Sequence, residues 1–580
     1  MLGKLLRNAL SARNKTGKPV PAAGTMTLAQ ANAALERRDH AAAALIYQHI
    51  VQIEPDNQEA WNKLGFCQAA LGQYRQSEHS FGQLARLVPH SRTAHANIGH
   101  LALMDLRLAE ATTHLRTALA CPPDANAATA DAVLNSSLGF ALMRQGLPEE
   151  AMVALRNSLR EQPANWSAAA HLLFTMQHAP SVRPDELFAE FRRWSEVHET
   201  PLLALHKPHA NAPEPDRRLR IGYVSGDFAR HAVSNFIAPV LQQHDRAGFE
   251  IHCYSNRAQA DDRTAELRGL SDHWHDIFTL DDEALAAQVR ADGMDILVDL
   301  SGHTHGNRMG VFARKPAPLQ MTWLGYPTTT GLRSMDCRIS DAYADPPGVA
   351  EAFHSERLLR LPRSQWCYRA DAAAPEVSAL PAQTVGRVKF GSFNNLAKLN
   401  DAVLALWARV LQAVPGSGIT VVSRIDEGNR ERLAAALVQH GAAPERVRII
   451  GDADDAEFWR IREDIDIVLD AFPYNGTTTT CEALWSGLPV VTLAGPFGAA
   501  RNTASLLAAV GLQDLIATDQ AGYVAIAAAL AADIPKLAVL RAGMRQRLLD
   551  AGLCDGPRFT RELENLYRLE WQHWCAGRAP

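Results

Sequence analysis

Residues 475–482 read NGTTTTCE, and the apolar run ALWSGLPVVTL follows at 483–493. Four successive threonines suit a helix interior poorly, because β-branched hydroxyl side chains lose rotamer freedom there and compete for backbone hydrogen bonds. They suit a helix entrance, where the first N–H groups lack intrahelical partners. Two readings stand: Thr477 to Thr480 cap the helix and nothing more, or the entrance receives an anion such as phosphate.

The flanking sequence sets that entrance inside a repeating pattern. DIVLDAF precedes it and PVVTLAG follows it, and both read as short buried strands. VKFGSFN, GITVVSR and VRIIG join them upstream, and an earlier series comprises RIGYVSGD, FEIHCYSN, DILVDLSG and LQMTWLGYP. Strands alternating with helical stretches predict parallel sheets wrapped by helices. The segment 370–386, ADAAAPEVSALPAQTVG, divides them into two similar halves, 217–375 and 386–580. Ligands of such folds lie beyond the carboxyl ends of strands. That directs attention to SGDFARHAVSNF, DLSGHTHGNR, LGYPTTTG, SFNNLAKLN and FPYNGTTTT.

The first third has a different texture. Pro55, Pro89 and Pro123 are 34 residues apart, as are Tyr47, Phe81 and Leu115, and Ala43, Ser77 and Ala111. Leu64-Gly65 and Ile98-Gly99 keep the period, and Leu138-Gly139, Ala151, Leu155 and Pro163 continue it after six extra residues near PPDANAATA. These units resemble tetratricopeptide repeats: small residues let antiparallel helices approach, a large residue fills the space between units, and proline ends the second helix. Trp61 reads as core packing. About four repeats fill residues 26–165, and less regular helices extend to about 205. The proline-rich link HKPHANAPEPDRR then leads into the strands. A solenoid of this kind presents a concave face to an extended polypeptide, so a protein or peptide partner is expected along its groove.

Of the 580 residues, 47% are hydrophobic and 21% charged, with a net charge of −5, so no basic excess points to nucleic acid. The eight cysteines form no CxxC pair or regular framework, and reduced thiols in a cytoplasmic protein are expected. No apolar run reaches the roughly 18 residues of a membrane span. In segment 1–25, Leu2, Leu5, Leu6 and Leu10 share a helical face amid Lys4, Arg7 and Arg13, which fits either weak contact with a membrane surface or a frayed helix. Stable membrane association is not expected.

Repeats followed by paired Rossmann-like halves, with KPAPLQMTWLGYPTTTG, FNNLAK, NGTTTT and the final FTRELENLYRLEWQHW in order, resemble the O-linked N-acetylglucosaminyltransferases and their SPINDLY-type relatives. The resemblance spans nearly the whole chain. It implies a glycosyltransferase-B fold and an inverting transfer of N-acetylglucosamine from UDP-GlcNAc to serine or threonine of proteins. Other donors, GDP-fucose or UDP-glucose, remain open. So do a repeat scaffold that binds a nucleotide sugar without turnover and a nucleotide-sugar epimerase, although an epimerase has no evident need of the repeats.

Such a transfer requires a stabilised diphosphate leaving group and removal of a hydroxyl proton. Thr477, Thr478 and Thr479 offer hydroxyl and backbone donors to phosphate, and Gly476 permits close approach. The resemblance assigns Lys398 to the diphosphate, Asn395 to the donor phosphates and Glu482 to the ribose hydroxyls. It also places DADD, residues 452–455, beside the nucleobase, with Ala453 in that loop and Phe458 available for stacking. The metal-binding reading of DADD is set aside, since Lys398 and the helix entrance can neutralise the diphosphate. His231 is expected at the cleft from the other half, as general base or as a hydrogen-bond partner of the sugar, with Asp227 or a donor phosphate oxygen as rival bases. Thr304 and Gly325, in the loops after two strands of that half, complete the expected donor site. His303 and His305 have i, i+2 spacing but no companion motif, so no metal site and no cofactor are expected there.

Overall fold

The structure is a computed structural model that describes residues 26–122, 131–451 and 453–577. The amphipathic segment 1–25, Pro123, most of the six-residue insertion and Asp452 lie outside the described residues. Packing divides the chain into two units near residue 168. Helix Pro184–His198, grouped with the repeats by sequence, therefore belongs to the α/β unit, because its Phe191 and Trp194 pack against His303.

The first unit is built of antiparallel helix pairs such as Gln58–Ala70 with Tyr74–Leu87 and Arg92–Met104 with Leu108–Ala120. The 34-residue period has a direct steric cause. A Cβ on Gly65 would lie 2.8 Å from the Phe81 ring, one on Gly99 2.9 Å from Leu115 Cγ, and one on Gly139 2.4 Å from Leu155 Cγ. At each of these crossings only glycine admits the large residue of the second helix. Helices stop at Ile53 and Leu87, two residues before Pro55 and Pro89, as the missing proline N–H and its ring demand. The indole of Trp61 donates to the Pro55 carbonyl at 2.8 Å, and the ring of His95, one period later, contacts the Pro89 carbonyl at 3.0 Å.

The second unit contains two parallel sheets. The first comprises β1 (Leu219–Ser225), β2 (Phe249–Ser255), β3 (His273–Asp276), β4 (Ile296–Asp299), β5 (Leu319–Thr322), β6 (Cys337–Asp341) and β7 (Arg357–Leu361), in the order β3-β2-β1-β4-β5-β6-β7. The second comprises β8 (Lys389–Ser392), β9 (Gly418–Val422), β10 (Val447–Ile450), β11 (Ile467–Leu469), β12 (Val490–Leu493) and β13 (Ile516–Ala517), in the order β10-β9-β8-β11-β12-β13. The strands β4, β5 and β11 are buried throughout, as expected where helices cover both faces. Each sheet reverses its strand order once, between β1 and β4 and between β8 and β11, and a crevice opens at such a switch point.

The last helix, Gly556–Cys575, packs against the first sheet although the sequence groups it with the second half. Phe559 stacks on Trp323 of the loop after β5 at 5.8 Å, Tyr567 hydroxyl lies 3.2 Å from that of Tyr223 on β1, and Glu564 holds His244 at 2.8 Å. All eight cysteines are unbridged. Among the described residues, no single helix is long and apolar enough to cross a membrane.

Candidate active site

The two halves carry pentads of one pattern, Asp-Ile followed by two aliphatic residues and Asp, DILVD at 295–299 and DIVLD at 466–470, on the strand beside each switch point. The first carboxylate of each pins the neighbouring strand: Asp295 accepts from the Arg220 backbone N–H at 2.9 Å, and Asp466 from that of Lys389 at 2.8 Å. The second ties down the loop that follows. Asp299 accepts from the Ser301 and Gly302 N–H groups at 3.0 and 2.9 Å and from Thr322 hydroxyl at 2.8 Å. Asp470 accepts from the Ala471 and Gly476 N–H groups at 2.9 Å each and from Thr492 hydroxyl at 2.8 Å. Burial pushes the Asp299 carboxyl up to about 6 and raises that of Asp470 as well. These carboxylates, which the sequence reading passed over, set the positions of both groups of loops.

From Asp470 the chain turns into helix Thr478–Trp485. Thr477 precedes that helix and makes no side-chain capping bond, which argues against capping as its sole use. A Cβ on Gly476 would come within 2.7 Å of Thr480 Oγ1, 2.8 Å of Thr479 Oγ1 and 3.2 Å of Asp470. Thr480 is buried and meets Thr503 hydroxyl at 2.9 Å, whose own hydroxyl donates to the Gly476 carbonyl at 2.9 Å. Thr477, Thr478 and Thr479 are half-buried around the first turn, where unpaired N–H groups and the positive end of the helix dipole attract an anion.

Lys398 reaches this turn from the loop after β8. Its Nζ donates to the Asn475 carbonyl at 2.6 Å and lies 4.7 Å from the centre of the Tyr474 ring. Part of the side chain remains exposed, yet the ammonium is enclosed by protein, and this burial lowers its pKa to about 8 despite the attraction of Asp470. A cation partly deprived of water, at the mouth of a helix, is arranged to gain by meeting a diphosphate. Asn395 is exposed, and its side-chain oxygen caps the short turn that carries Lys398 by accepting from the Ala397 N–H at 3.0 Å. Its amide N–H₂ group is left to donate.

Glu482, four residues into the helix, is paired with the buried Arg462. That guanidinium lies 4.2 Å from the Phe458 ring centre, 4.8 Å from that of Trp459 and 5.1 Å from that of Phe393. Phe458 further meets Phe393 edge-on at 5.4 Å. The stacking surface expected at Phe458 is therefore an aromatic–arginine cluster, with one ring face already taken by Arg462. Ala453 is half-buried, and Asp454 of DADD caps helix Asp455–Glu463 by accepting from the Glu457 N–H at 2.7 Å.

In the first half, the loops after β1 and β4 touch where a Cβ on Gly226 would lie 2.9 Å from the Gly306 carbonyl oxygen. His231 is half-exposed there. Its Nδ1 accepts from the Val233 N–H at 3.3 Å and stands 3.8 Å from Asp227, whose carboxyl is raised by burial. With Nδ1 accepting, the neutral ring carries its proton on Nε2 and offers that atom as a donor. Thr304 donates to the Ser301 carbonyl at 2.7 Å, and Gly325 is required because a Cβ would fall 1.8 Å from the Leu300 carbonyl oxygen. His303 is buried against Phe191, Trp194 and Tyr326 and contacts the Thr330 carbonyl at 2.7 Å. Burial lowers its pKa to about 4.

The end of helix Trp166–Met176 bridges the halves. Gln177 donates to Tyr326 hydroxyl and accepts from Thr328 in the first, while His178 stacks on Tyr474 at 4.5 Å in the second. Burial brings the His178 pKa down to about 3 with Lys398 adding to the effect, so the ring that backs Tyr474 is neutral. A separate apolar cavity of about 250 Å³ lies between helix Pro184–His198, the loops near Thr328 and Phe353, and Phe497 and Arg501; neither Lys398 nor the threonine turn lines it.

Comparison with known proteins agrees with this architecture. The Glycosyl transferase family 41 profile matches residues 193–370 and 376–563, and a Tetratricopeptide repeat profile matches 34–96. The chain is 39% identical over 432 residues to a probable UDP-N-acetylglucosamine–peptide N-acetylglucosaminyltransferase SPINDLY from Petunia hybrida, covering 73% of this chain and 46% of that protein. A probable SEC enzyme of the same description from Arabidopsis thaliana is 30% identical over 63% of this chain and 38% of its own length. This chain thus spans less than half of those relatives. The solved structure of a Thermobaculum terrenum O-GlcNAc transferase mutant superposes with a TM-score of 0.80 at 35% identity, covering 90% of this chain and 98% of the other. On the extent of the profile match, with both sheets and the loops between them included, this chain belongs to glycosyl transferase family 41.

Proposed function

We propose that the chain is an inverting protein O-glycosyltransferase that moves N-acetylglucosamine from UDP-GlcNAc to serine or threonine hydroxyls. The observation that carries this reading is the enclosed Lys398 ammonium on the Asn475 carbonyl, at the mouth of the threonine helix. In the reaction the acceptor oxygen bonds to the anomeric carbon, the bond from that carbon to the β-phosphate oxygen breaks, and UDP departs. The developing charge falls on that oxygen, where preorganised donors stabilise the transition state most. Lys398 and the helix entrance supply this positive charge, so the leaving group needs no metal ion in this reading.

The hydroxyl proton needs an acceptor. The His231 geometry favours donation from Nε2 to the donor sugar or phosphate, and Asp227 or a phosphate oxygen then takes the proton. In the repeats, a groove lined by Gln48, Gln52, Trp61, Gln68, Gln76 and His79 offers amide groups suited to the main chain of an extended acceptor.

The Arg462, Phe458 and Trp459 cluster favours a second reading, a donor with a larger base such as GDP-fucose, because it presents both ring surface and guanidinium. Calorimetry separates these readings. UDP is expected to bind at least about 100-fold more tightly than uridine, or about 2.7 kcal/mol, with the difference lost in Lys398→Ala. Equal affinities for UDP and uridine would remove the diphosphate site, and tighter binding of GDP than of UDP would select the second reading.

A further inference from the structure

Strand β3 lies at the edge of the first sheet and pairs in parallel with β2, His252 opposite His273 and Tyr254 opposite His275. Side chains two residues apart share a face of a strand, so Glu250, His252 and Tyr254 stand beside His273 and His275. Helix Asp282–Ala291 adds Gln288 to this group, and Asp292 follows at its end. None of these residues belongs to the cleft described above.

The imidazoles are ordered with nitrogen facing nitrogen. The His252 and His275 rings lie within 6° of parallel and meet edge to edge, with centroids 5.4 Å apart and His252 Nδ1 at hydrogen-bond distance, 3.2 Å, from His275 Nε2. Asp292 Oδ2 is 4.0 Å from the same His275 nitrogen, and the three donor atoms lie within 4.8 Å of one another. Donors around a tetrahedral ion with bonds of about 2.0–2.1 Å are separated by about 3.3 Å, so the carboxylate must approach and the two rings turn toward a common centre to complete the set. The outer partners of a metal site are present too. Tyr254 hydroxyl donates to Asp292 Oδ2 at 2.7 Å, and the Gln288 amide nitrogen lies 3.0 Å from His275 Nδ1; with that amide turned over, its oxygen would accept the Nδ1–H of a ring ligating through Nε2.

We propose that His252, His275 and Asp292 form a binding site for one divalent transition ion, Zn²⁺ by ligand type, with water in the remaining position. Two imidazoles and a carboxylate suit Zn²⁺ better than Mg²⁺ or Ca²⁺, which take oxygen ligands. The ion would clip the four-residue edge strand to the helix that follows it, a structural role apart from transfer chemistry. Glu250, His252 Nε2 and His273 form an overlapping set, but Glu250 faces Arg218 and Arg220 at 3.6 Å each, and these cations oppose a metal ion.

Titration of the metal-free full-length chain with Co²⁺, followed by its visible absorption and by displacement with Zn²⁺, tests the assignment. One saturable site is expected. His275→Gln and the isosteric Asp292→Asn should each weaken it at least tenfold, whereas His273→Gln should leave the affinity within threefold. Zn²⁺ should also raise the unfolding temperature of the unaltered chain, by about 2–4 °C, and EDTA should reverse the rise. Absence of saturable binding by the unaltered chain overturns the proposal whatever the variants do. A loss in His273→Gln equal to that in Asp292→Asn overturns the choice of ligands.

Discussion

Replacing Lys398 by alanine removes one cation without touching the sheet beneath it. The magnitude follows from the environment of the ammonium. Its pKa of about 8, against an ordinary 10.5, means that the site holds the charged form at a cost of about 3 kcal/mol, using 1.36 kcal/mol per tenfold change in protonation. The Asn475 carbonyl and the Tyr474 ring fix its position but do not make good this loss of solvation. A leaving diphosphate does, and it does so more fully as charge accumulates in the transition state. Lys398→Ala should therefore lower kcat by about 10²–10³-fold, the range found when one preorganised donor is removed from a dry site. The assay is steady-state transfer from radiolabelled UDP-GlcNAc to a peptide acceptor, with the unfolding temperature measured alongside. An unchanged kcat in a variant of normal stability would refute the role, and a rise in KM alone would reduce Lys398 to ground-state binding.

The same lysine gives opposite pH signatures in activity and stability. Between about pH 8 and 10.5 the unfolded chain binds more protons than the folded one, so this group makes unfolding harder as pH rises through that window, while kcat/KM falls above about 8 as the cation is lost. A flat kcat/KM from pH 7 to 9 would contradict the second half. Glu482→Ala strips the buried Arg462 of its carboxylate and should cost about 1–3 kcal/mol in denaturant unfolding as well as weaken UDP binding, whereas Glu482→Gln should keep most of the stability. Equal stability in both variants would show that the pair does not matter to the fold. In the repeats, Gly139→Ala should destabilise by about 1–3 kcal/mol through its clash with Leu155, whereas Gly82→Ala, with open space around its Cβ, should stabilise by up to about 1 kcal/mol. Urea unfolding of each variant checks the contrast.

Much of the architecture was legible because it rests on periodicities of apolar residues. The 34-residue register identified the glycines that meet Phe81, Leu115 and Leu155, and nine strands are apolar enough to read directly. Strands β3, β6, β7 and β13 escaped. HWHD and CRISD are polar, RLLRL alternates with arginine, and β13 has two residues, so each depends on a neighbouring strand rather than on its own pattern. The return of helix Gly556–Cys575 to the first sheet is a long-range contact that no local pattern announces. At the site, the threonine turn and Lys398 could be found from residue type and strand position. His178, Tyr474 and Arg462 could not, because their use depends on stacking between distant segments. Asp299 and Asp470 carry a signal in the sequence, the paired pentads DILVD and DIVLD with aspartate at both ends.

Transfer of a sugar to protein is tested most directly by intact-protein mass spectrometry. Purified chain is incubated in EDTA with a serine- and threonine-rich acceptor and, separately, UDP-GlcNAc, UDP-glucose and GDP-fucose. The expected result is stepwise addition of N-acetylhexosamine from UDP-GlcNAc, which a Lys398→Ala chain fails to produce. Addition from another donor alone would contradict the assigned sugar, and no addition from any donor, by a chain that binds UDP, would contradict the assignment of transferase activity.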